Sequence, residues 1–559
     1  MPPSPLFLAE MERKRGSQPK TKIEFIDKDD NVTDITRYYL SGANLEQVKE
    51  RAPDEIQAGQ FDVILANHDD TFSEYKPGSL LHELDYHGAR IRILQGFTLP
   101  DGTDEYIVQG MGFIDQLITA SDVSQVTFRC RDRLWRIMDS KIHMRPATEV
   151  PEADTGNTGN GFVTAVDTKP FATSDQNWTL TCTTGGPDNT AIFSVVGSIA
   201  GNIGNATSGQ TFENATHGLR FTIRAGSINW FVGDKFTFRL RQHPQWQNVN
   251  AGKIIWSILT GHRWDTGSPE NWADLVFDFD PTQTSANVDV DYYSFVKAID
   301  DIDTIGVFDL TGYANYNTDT VQFLQDLLLL FLGSLYTGAD GRIKMQVYVP
   351  IFGAITKTFT DNDKIMAMAY NRSIDEVVNS VNVEYVATPL WPFSSEAPVT
   401  DGIHVRKDDD SIDAFGEIGV GFKSFWYTES QLHVQDFADK LVSRYRKPPL
   451  NINFDTGMDA LLMEIGEYIG ITDVKYGLQA VVGEISLVRK MFDSRPAKIS
   501  LMLRRDSAVE QQFGWIGSEV DEGDGESPQD DDYDTASVED RRFAYFGNLT
   551  DPEPDYRIF

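Results

Sequence analysis

Apolar and polar residues alternate with period two in short runs along much of the chain, and two distant stretches, residues 21–142 and 364–505, share this pattern. In the first, Ile23 and Phe25 alternate with polar neighbours, and a strand at residues 60–67 is stopped by the turn-forming Asn67, His68, Asp69 and Asp70. Further on, Ile91 and Ile93 face away from Arg90 and Arg92, and Pro100-Asp101-Gly102 is a turn. In the second stretch, residues 377–385 and 480–488 read as strands, and residues 431–445 read as a helix. Each stretch closes on an arginine-bearing strand, at residues 125–132 and 497–505. Short strands with polar turns predict two similar tube-like β-barrels, at residues 20–150 and 359–515.

Between them the pattern changes twice. Residues 151–243 are rich in Thr, Gly, Asn and Ser, yet alternation persists at residues 178–182, 221–224 and 233–240. This predicts a β-sandwich-like module inserted at a loop, where insertions are tolerated. In residues 244–358 the period becomes helical. Asn250 caps a helix carrying Ile254, Ile255, Ile258 and Leu259; a second, at residues 292–302, buries Phe295, Val296 and Ile299. Asp319 caps a third with Val321, Leu324, Leu328 and Phe331 in one stripe and Gly333 at its end. Asp340-Gly341 then turns a hairpin into Ile343, Met345, Val347 and Val349. The expected fold is therefore multidomain and mainly β, with an α+β middle region. An N-terminal arm at residues 1–19 and an acidic tail at 516–559 complete the plan; the tail is too charged to fold alone.

At 559 residues several domains are needed. The net charge of -35 argues against a broad phosphate-binding surface, which requires clustered Lys and Arg. The acidic excess reads either as an ordinary solvated surface or as adaptation to high salt, and the scarcity of lysine beside aspartate leans toward a saline host. Cys130 and Cys182 fall in different domains, so neither a disulfide framework nor a thiolate metal site is indicated. With no basic leader before an apolar core and no run long enough to span a bilayer, a soluble protein made in the cytoplasm is expected.

The near-matches to catalytic and metal motifs each fail on spacing. His82 and His87 are five residues apart, so they do not share a helical face as zinc ligands would. Ser198 follows Gly197 directly and does not occupy the centre of a nucleophile elbow. The acidic runs at residues 408–413 and in the tail lack the spacing of a calcium loop and read as solvated loops. No phosphate loop or dinucleotide fingerprint occurs, and the 84 acidic residues single out no glycosidase pair. No enzyme activity, cofactor or metal is expected. Arg129, Arg131 and Arg133 on one closing strand and Arg504 and Arg505 on the other are the candidate contacts between subunits, because the guanidinium fork suits carboxylates across an interface. Their alternative is pairing within their own domains.

Taken in order, Val32-Thr33-Asp34, residues 60–72, residues 88–93, residues 112–115 and residues 128–132 resemble segments of the baseplate-hub and tail-tip hub proteins of tailed phages and tailed archaeal viruses. So do the helix and hairpin at residues 319–349, with Asp340-Gly341-Arg342 at the turn, and residues 375–379, 381–385, 464–469 and 499–503. Gly466-Glu467 departs from the family's usual Gly-Asp before a barrel strand. The resemblance implies a homotrimeric virion protein at the tail tip, whose six barrels match a sixfold tail tube. It further implies as partners a distal tail or tail tube protein, the tape measure protein, and tail fibre or baseplate proteins. DNA would pass the lumen without specific binding. The rival expectation is a secreted or surface carbohydrate-binding β protein, with Trp391, Trp426 and Tyr427 stacking on sugars.

Overall fold

The computed structural model describes residues 3–13, 19–48, 56, 59–82, 86, 88–119, 124–138, 149–169, 176–240, 245–262, 264, 277–282, 288–305, 308–314, 319–348, 355–363, 368–387, 400–428, 431–492, 498–506, 546–548 and 551–556.

Twelve strands form the frame. In the first unit they are β1 (Pro19–Ile26), β2 (Tyr39–Gly42), β3 (Gln60–Ala66), β4 (Arg90–Thr98), β5 (Asp104–Thr119) and β6 (Gln125–Arg131). In the second they are β7 (Lys357–Phe359), β8 (Ala369–Asn371), β9 (Leu450–Thr456), β10 (Tyr468–Asp473), β11 (Leu478–Met491) and β12 (Lys498–Arg505). The first sheet runs β1-β4-β5-β6-β3-β2, with Val32–Asp34 added beside β1; the second runs β7-β10-β11-β12-β9-β8. These are the same permutation of six strands. Neighbours are antiparallel in both, except that β7 lies parallel to β10 whereas β1 is antiparallel to β4. Among the described residues no pairing joins the edges of either sheet into a closed barrel.

The alternation read from the sequence is the alternation of burial. Phe61, Val63 and Leu65 on β3, and Val126, Phe128 and Cys130 on β6, point inward, with polar neighbours outward. Ile91 and Ile93 are fully buried, while Arg90 pairs with Asp30 and Arg92 with Glu24. The two units do not keep separate cores. One hydrophobic cluster runs from Ile23, Val63 and Phe128 through to Ile452, Phe454 and Leu503. A strand at Asn44–Val48 also leaves the first unit between β2 and β3 and pairs with β11.

The insertion does have its own core. Among the described residues, Trp178, Phe193, Phe221, Trp230 and Phe236 form a core with residues of this segment, between a five-stranded and a four-stranded sheet. Its entry and exit meet where Glu149 N donates to Arg239 O at 2.9 Å. The middle region contains helices Ala251–Thr260, Tyr292–Ile305 and Thr320–Leu330. Asn250 caps the first by accepting from Gly252 N at 2.8 Å, and Asp319 caps the third by accepting from Gln322 N at 3.1 Å. The hairpin Ser334–Thr337 with Ile343–Gln346 turns at Gly341, which has φ +78°.

Three segments differ from the sequence reading. Ser380–Tyr385, expected in the second barrel, lies between Gly402–Lys407 and Gly419–Ser424 in a separate three-stranded sheet. Its Val381 and Val383 pack on Val434, Phe437 and Leu441 of helix Leu432–Tyr445, and this satisfies the strand without the barrel. The arm contains helix Pro5–Met11, begun by Ser4 accepting from Phe7 N and anchored by Phe7 packed edge-on against Phe97 at 5.1 Å. Residues 408–413 are the start of helix Asp409–Phe415, with the Asp408 carboxylate accepting from Ser411 N at 2.8 Å. Of the acidic tail only the strand pair Phe546–Asn548 and Asp551–Tyr556 is described, so its expected role falls outside the described residues. No described helix is long and apolar enough to cross a membrane.

Candidate functional site

The two units meet where Gln109 of β5 bonds Lys490 of β11, and in these two strands the repeat is accurate residue by residue. Arg90 of β4 stands opposite Phe113 of β5, and Tyr468 of β10 opposite Glu484 of β11. Just after, Ile114 N donates to Ala89 O at 2.9 Å, and Ile485 N donates to Glu467 O at 2.8 Å. Both strands then bulge against their closing partner at the same step, between Ile114 and Gln116 and between Ile485 and Leu487. Gly88 and Gly466 open the equivalent strands β4 and β10 with φ +91° and +81°, a conformation that a side chain disfavours. Gly112 and Gly483 mark equivalent close approaches. A Cβ there would come within 3.0 Å of Arg131 O and 2.7 Å of Arg504 O.

Past the bulge the units part. On β11, residues Leu487 to Met491 pair on one side with β12 and on the other with the strand Asn44–Val48, Arg489 opposite Glu46. Arg489 Nη2 lies 2.6 Å from Glu46 Oε2. On β5, residues 116–119 pair with β6 and, among the described residues, with no strand on the other side.

A cavity of about 270 Å³ lies at this junction, lined by Gln47, Phe61, Gln109, Tyr336, Thr337 and Lys490 among others. Three parts of the molecule reach it: the first unit, the middle-region hairpin and the second unit. Lys490 Nζ, buried, donates to Gln109 Oε1 of the first unit and to Leu461 O, both at 2.8 Å. Burial pulls its ammonium down to about 8, against the opposing effect of Glu464 and Glu467. From the hairpin, Lys344 Nζ meets Glu464 Oε2 at 2.7 Å, and Ala339 N donates to Glu464 Oε1 at 3.0 Å. Burial raises Glu464, but Lys344, the Ala339 amide and Lys490 together outweigh it and the carboxyl titrates below its ordinary value. Burial pushes the Asp132 carboxyl up to about 6, although the Gly59 and Leu134 amides donate to it. The Lys490–Gln109 bond joins the second unit to the first, and the Lys344 and Ala339 bonds to Glu464 join the hairpin to the second unit, so the arrangement acts as a clamp between these parts.

The five candidate arginines are not brought together. Arg129 reaches Asp62 at 3.3 Å and Arg131 reaches Asp115 at 3.1 Å, both on the partly exposed face of the first sheet. Arg133 is buried, 2.9 Å from Asp289, and donates to Val288 O at 2.7 Å, tying the first unit to the middle region. Arg504 lies 3.2 Å from Glu376 and over the Tyr445 ring, and Arg505, half-buried, stands opposite Leu450. Arg129, Arg131, Arg133 and Arg504 thus meet carboxylates of their own chain, Arg133 and Arg504 as buried groups and Arg129 and Arg131 on a partly exposed face. Sequence reasoning missed the clamp because Lys490 and Gln109 are 381 residues apart; the repeated glycines, Gly88 with Gly466 and Gly112 with Gly483, were the available signal. Of the proposed sugar-stacking residues, Trp391 lies outside the described residues. Trp426 is buried against Trp246 and Phe323, and Tyr427 is half-buried, its backbone paired with Thr311.

The frame defines a mainly β, multidomain chain built on an internal duplication. No protein-family model matches it, and no curated protein matches it. Solved structures to which it is similar include a tail protein from Neisseria meningitidis, at 11% identity and a TM-score of 0.39, covering 87% of this chain and 97% of that one. A 43 kDa tail protein of prophage MuSo2 from Shewanella oneidensis is similar at 9% identity and a TM-score of 0.40, covering 88% and 99%. Prophage tail protein gp18 from Listeria monocytogenes is similar at 9% identity and a TM-score of 0.36, covering 86% and 94%.

Proposed function

We propose that this chain is a structural tail protein of a virion, a homotrimeric hub that adapts a sixfold tail tube to a threefold tail tip. The observation that carries the reading is the repeated register of β4, β5 and β6 in β10, β11 and β12, fused through one core. A chain with two equivalent sheets gives six equivalent faces when three copies assemble, and closed cyclic assembly is the common solution for such subunits. Partners under this reading are a tail tube or distal tail protein, the tape measure protein, and fibre or baseplate proteins. The acidic composition suits a lumen through which DNA slides, since excess carboxylates repel phosphates. Arg129, Arg131 and Arg505 are the candidate arginines that this reading assigns to neighbouring subunits.

Negative-stain microscopy with sedimentation across a salt series tests the reading. Rings of threefold symmetry are expected, forming better in concentrated salt. A charge of -35 per chain repels at a screening length of about 30 Å at 0.01 M but only about 3 Å at 1 M. Monomeric rods at every salt concentration would overturn the hub. Trimers equally stable throughout would show that apolar burial, not charge, governs assembly.

A further inference from the structure

Among the described residues, the duplication leaves one position filled in the second unit and open in the first. We infer that the open edge of β5 at residues 116–119 receives strand Gly402–Lys407 of a second copy of this chain. The inference rests on the trimeric reading above.

The filled edge sets the rule. There, the connection between β2 and β3 supplies Asn44–Val48 to β11, so a segment of this chain is known to complete the equivalent edge of the repeat. The corresponding connection in the second unit, between β8 and β9, holds the three-stranded sheet. Within it, Gly402–Lys407 is an edge strand that pairs only with Ser380–Tyr385 among the described residues. By chain order the second unit therefore has an edge strand at the place from which the first unit extends its own.

Side chains fit the same assignment. Opposite Glu46 the filled edge carries Arg489, and the equivalent residue of the open edge is Ile118, which is 37% exposed. An apolar partner fits there. Strand Gly402–Lys407 offers two, Ile403 at 69% and Val405 at 50% exposure, on the solvent face of its sheet. It also carries His404, Arg406 and Lys407 and no carboxylate, in a chain where acidic residues dominate. Asp115 adjoins the open edge and is paired with Arg131, while Arg406 and Lys407 are paired with Asp439 and Glu417, so the two edges approach as ion-paired surfaces without a net like-charge repulsion. Addition of a strand to an exposed sheet edge gains main-chain hydrogen bonds along its length.

The test uses the full chain. Copies carrying Ile118→Cys are mixed with copies carrying Val405→Cys or Ile403→Cys and oxidised; facing strands bring Cβ atoms to disulfide distance. Native Cys130 and Cys182 are buried and stay out of the reaction. A covalent dimer seen in the mixture and absent from either copy alone is expected. Ile118→Asp and Val405→Asp, at exposed positions, should each turn trimers into monomers with unchanged far-UV circular dichroism. Wild-type trimers with no cross-link, whether or not the aspartate variants dissociate, would overturn the strand assignment and leave the trimeric hub standing. Wild-type monomers at every salt concentration would overturn the hub itself, and this inference with it.

Discussion

Where β5 of the first unit carries Phe113, β11 of the second carries Glu484 at the same register position, and each has recruited a buried arginine of different origin. Arg133 lies over the Phe113 ring at 5.7 Å and spends its charge on Asp289 of the middle region. Arg444, from helix Leu432–Tyr445, meets Glu484 at 2.9 Å and Asp506 at 3.0 Å, and stacks on Tyr348 at 3.8 Å. The backbone of the repeat has been kept while its outer neighbours were exchanged. In the first unit this anchors the middle region, and in the second it anchors the helix and the chain leaving β12. Equivalent sheets thus carry non-equivalent attachments.

The largest expected effect comes from removing the arginine peculiar to the second unit. Arg444→Met leaves Glu484 and Asp506 buried without their cation, and breaking such a pair costs about 3–5 kcal/mol. Denaturant unfolding should show this loss. A change below about 1 kcal/mol would mean that the helix is held by its apolar core alone.

Next in size is a pH effect at the filled edge. Lys490 occupies the position of Thr119, and only the lysine is clamped across the junction. Because burial holds Lys490 near 8 while an unfolded lysine titrates near 10.5, the folded chain binds fewer protons between those values. Wild-type stability contributed by this group therefore rises as pH goes from 8 to 10.5, by an amount on the order of 3 kcal/mol. Lys490→Met should flatten that rise in melts recorded across the window. An identical slope in the variant would assign the pH dependence to other groups.

A smaller effect is expected at the strand that distinguishes the two edges. Glu46 and Arg489 are both partly exposed, so Glu46→Gln should cost less than about 1 kcal/mol and lose its effect in high salt. A loss well above about 1 kcal/mol that high salt abolishes would show that the ion pair, and not main-chain pairing, seats Asn44–Val48.

The smallest effect belongs to the inserted module. Replacing residues 149–240 by a short linker should leave the shared core and assembly unchanged, since the module's apolar residues pack among themselves and its ends already meet. Loss of folding or of trimers, followed by circular dichroism and sedimentation, would place the module within the frame.

Local chemistry determined much of this protein in the sequence itself. Period-two burial in β3 and β6, the caps Asn250 and Asp319, and the turn at Gly341 all follow from residues within one element, because backbone geometry and the water-facing side are set locally. Helix Pro5–Met11 had its signal in Ser4-Pro5 but is too short for periodicity to reveal. What tertiary structure alone decided was the partner of each edge. Nothing near Asn44–Val48 says that it pairs with β11, because Glu46 and Arg489 are 443 residues apart and a strand edge accepts any backbone of the right geometry. The same holds for Ser380–Tyr385, which alternates as a barrel strand would and joins a different sheet because helix Leu432–Tyr445 covers its apolar face. Alternation specifies which side of a strand is buried, and only the folded chain specifies against what.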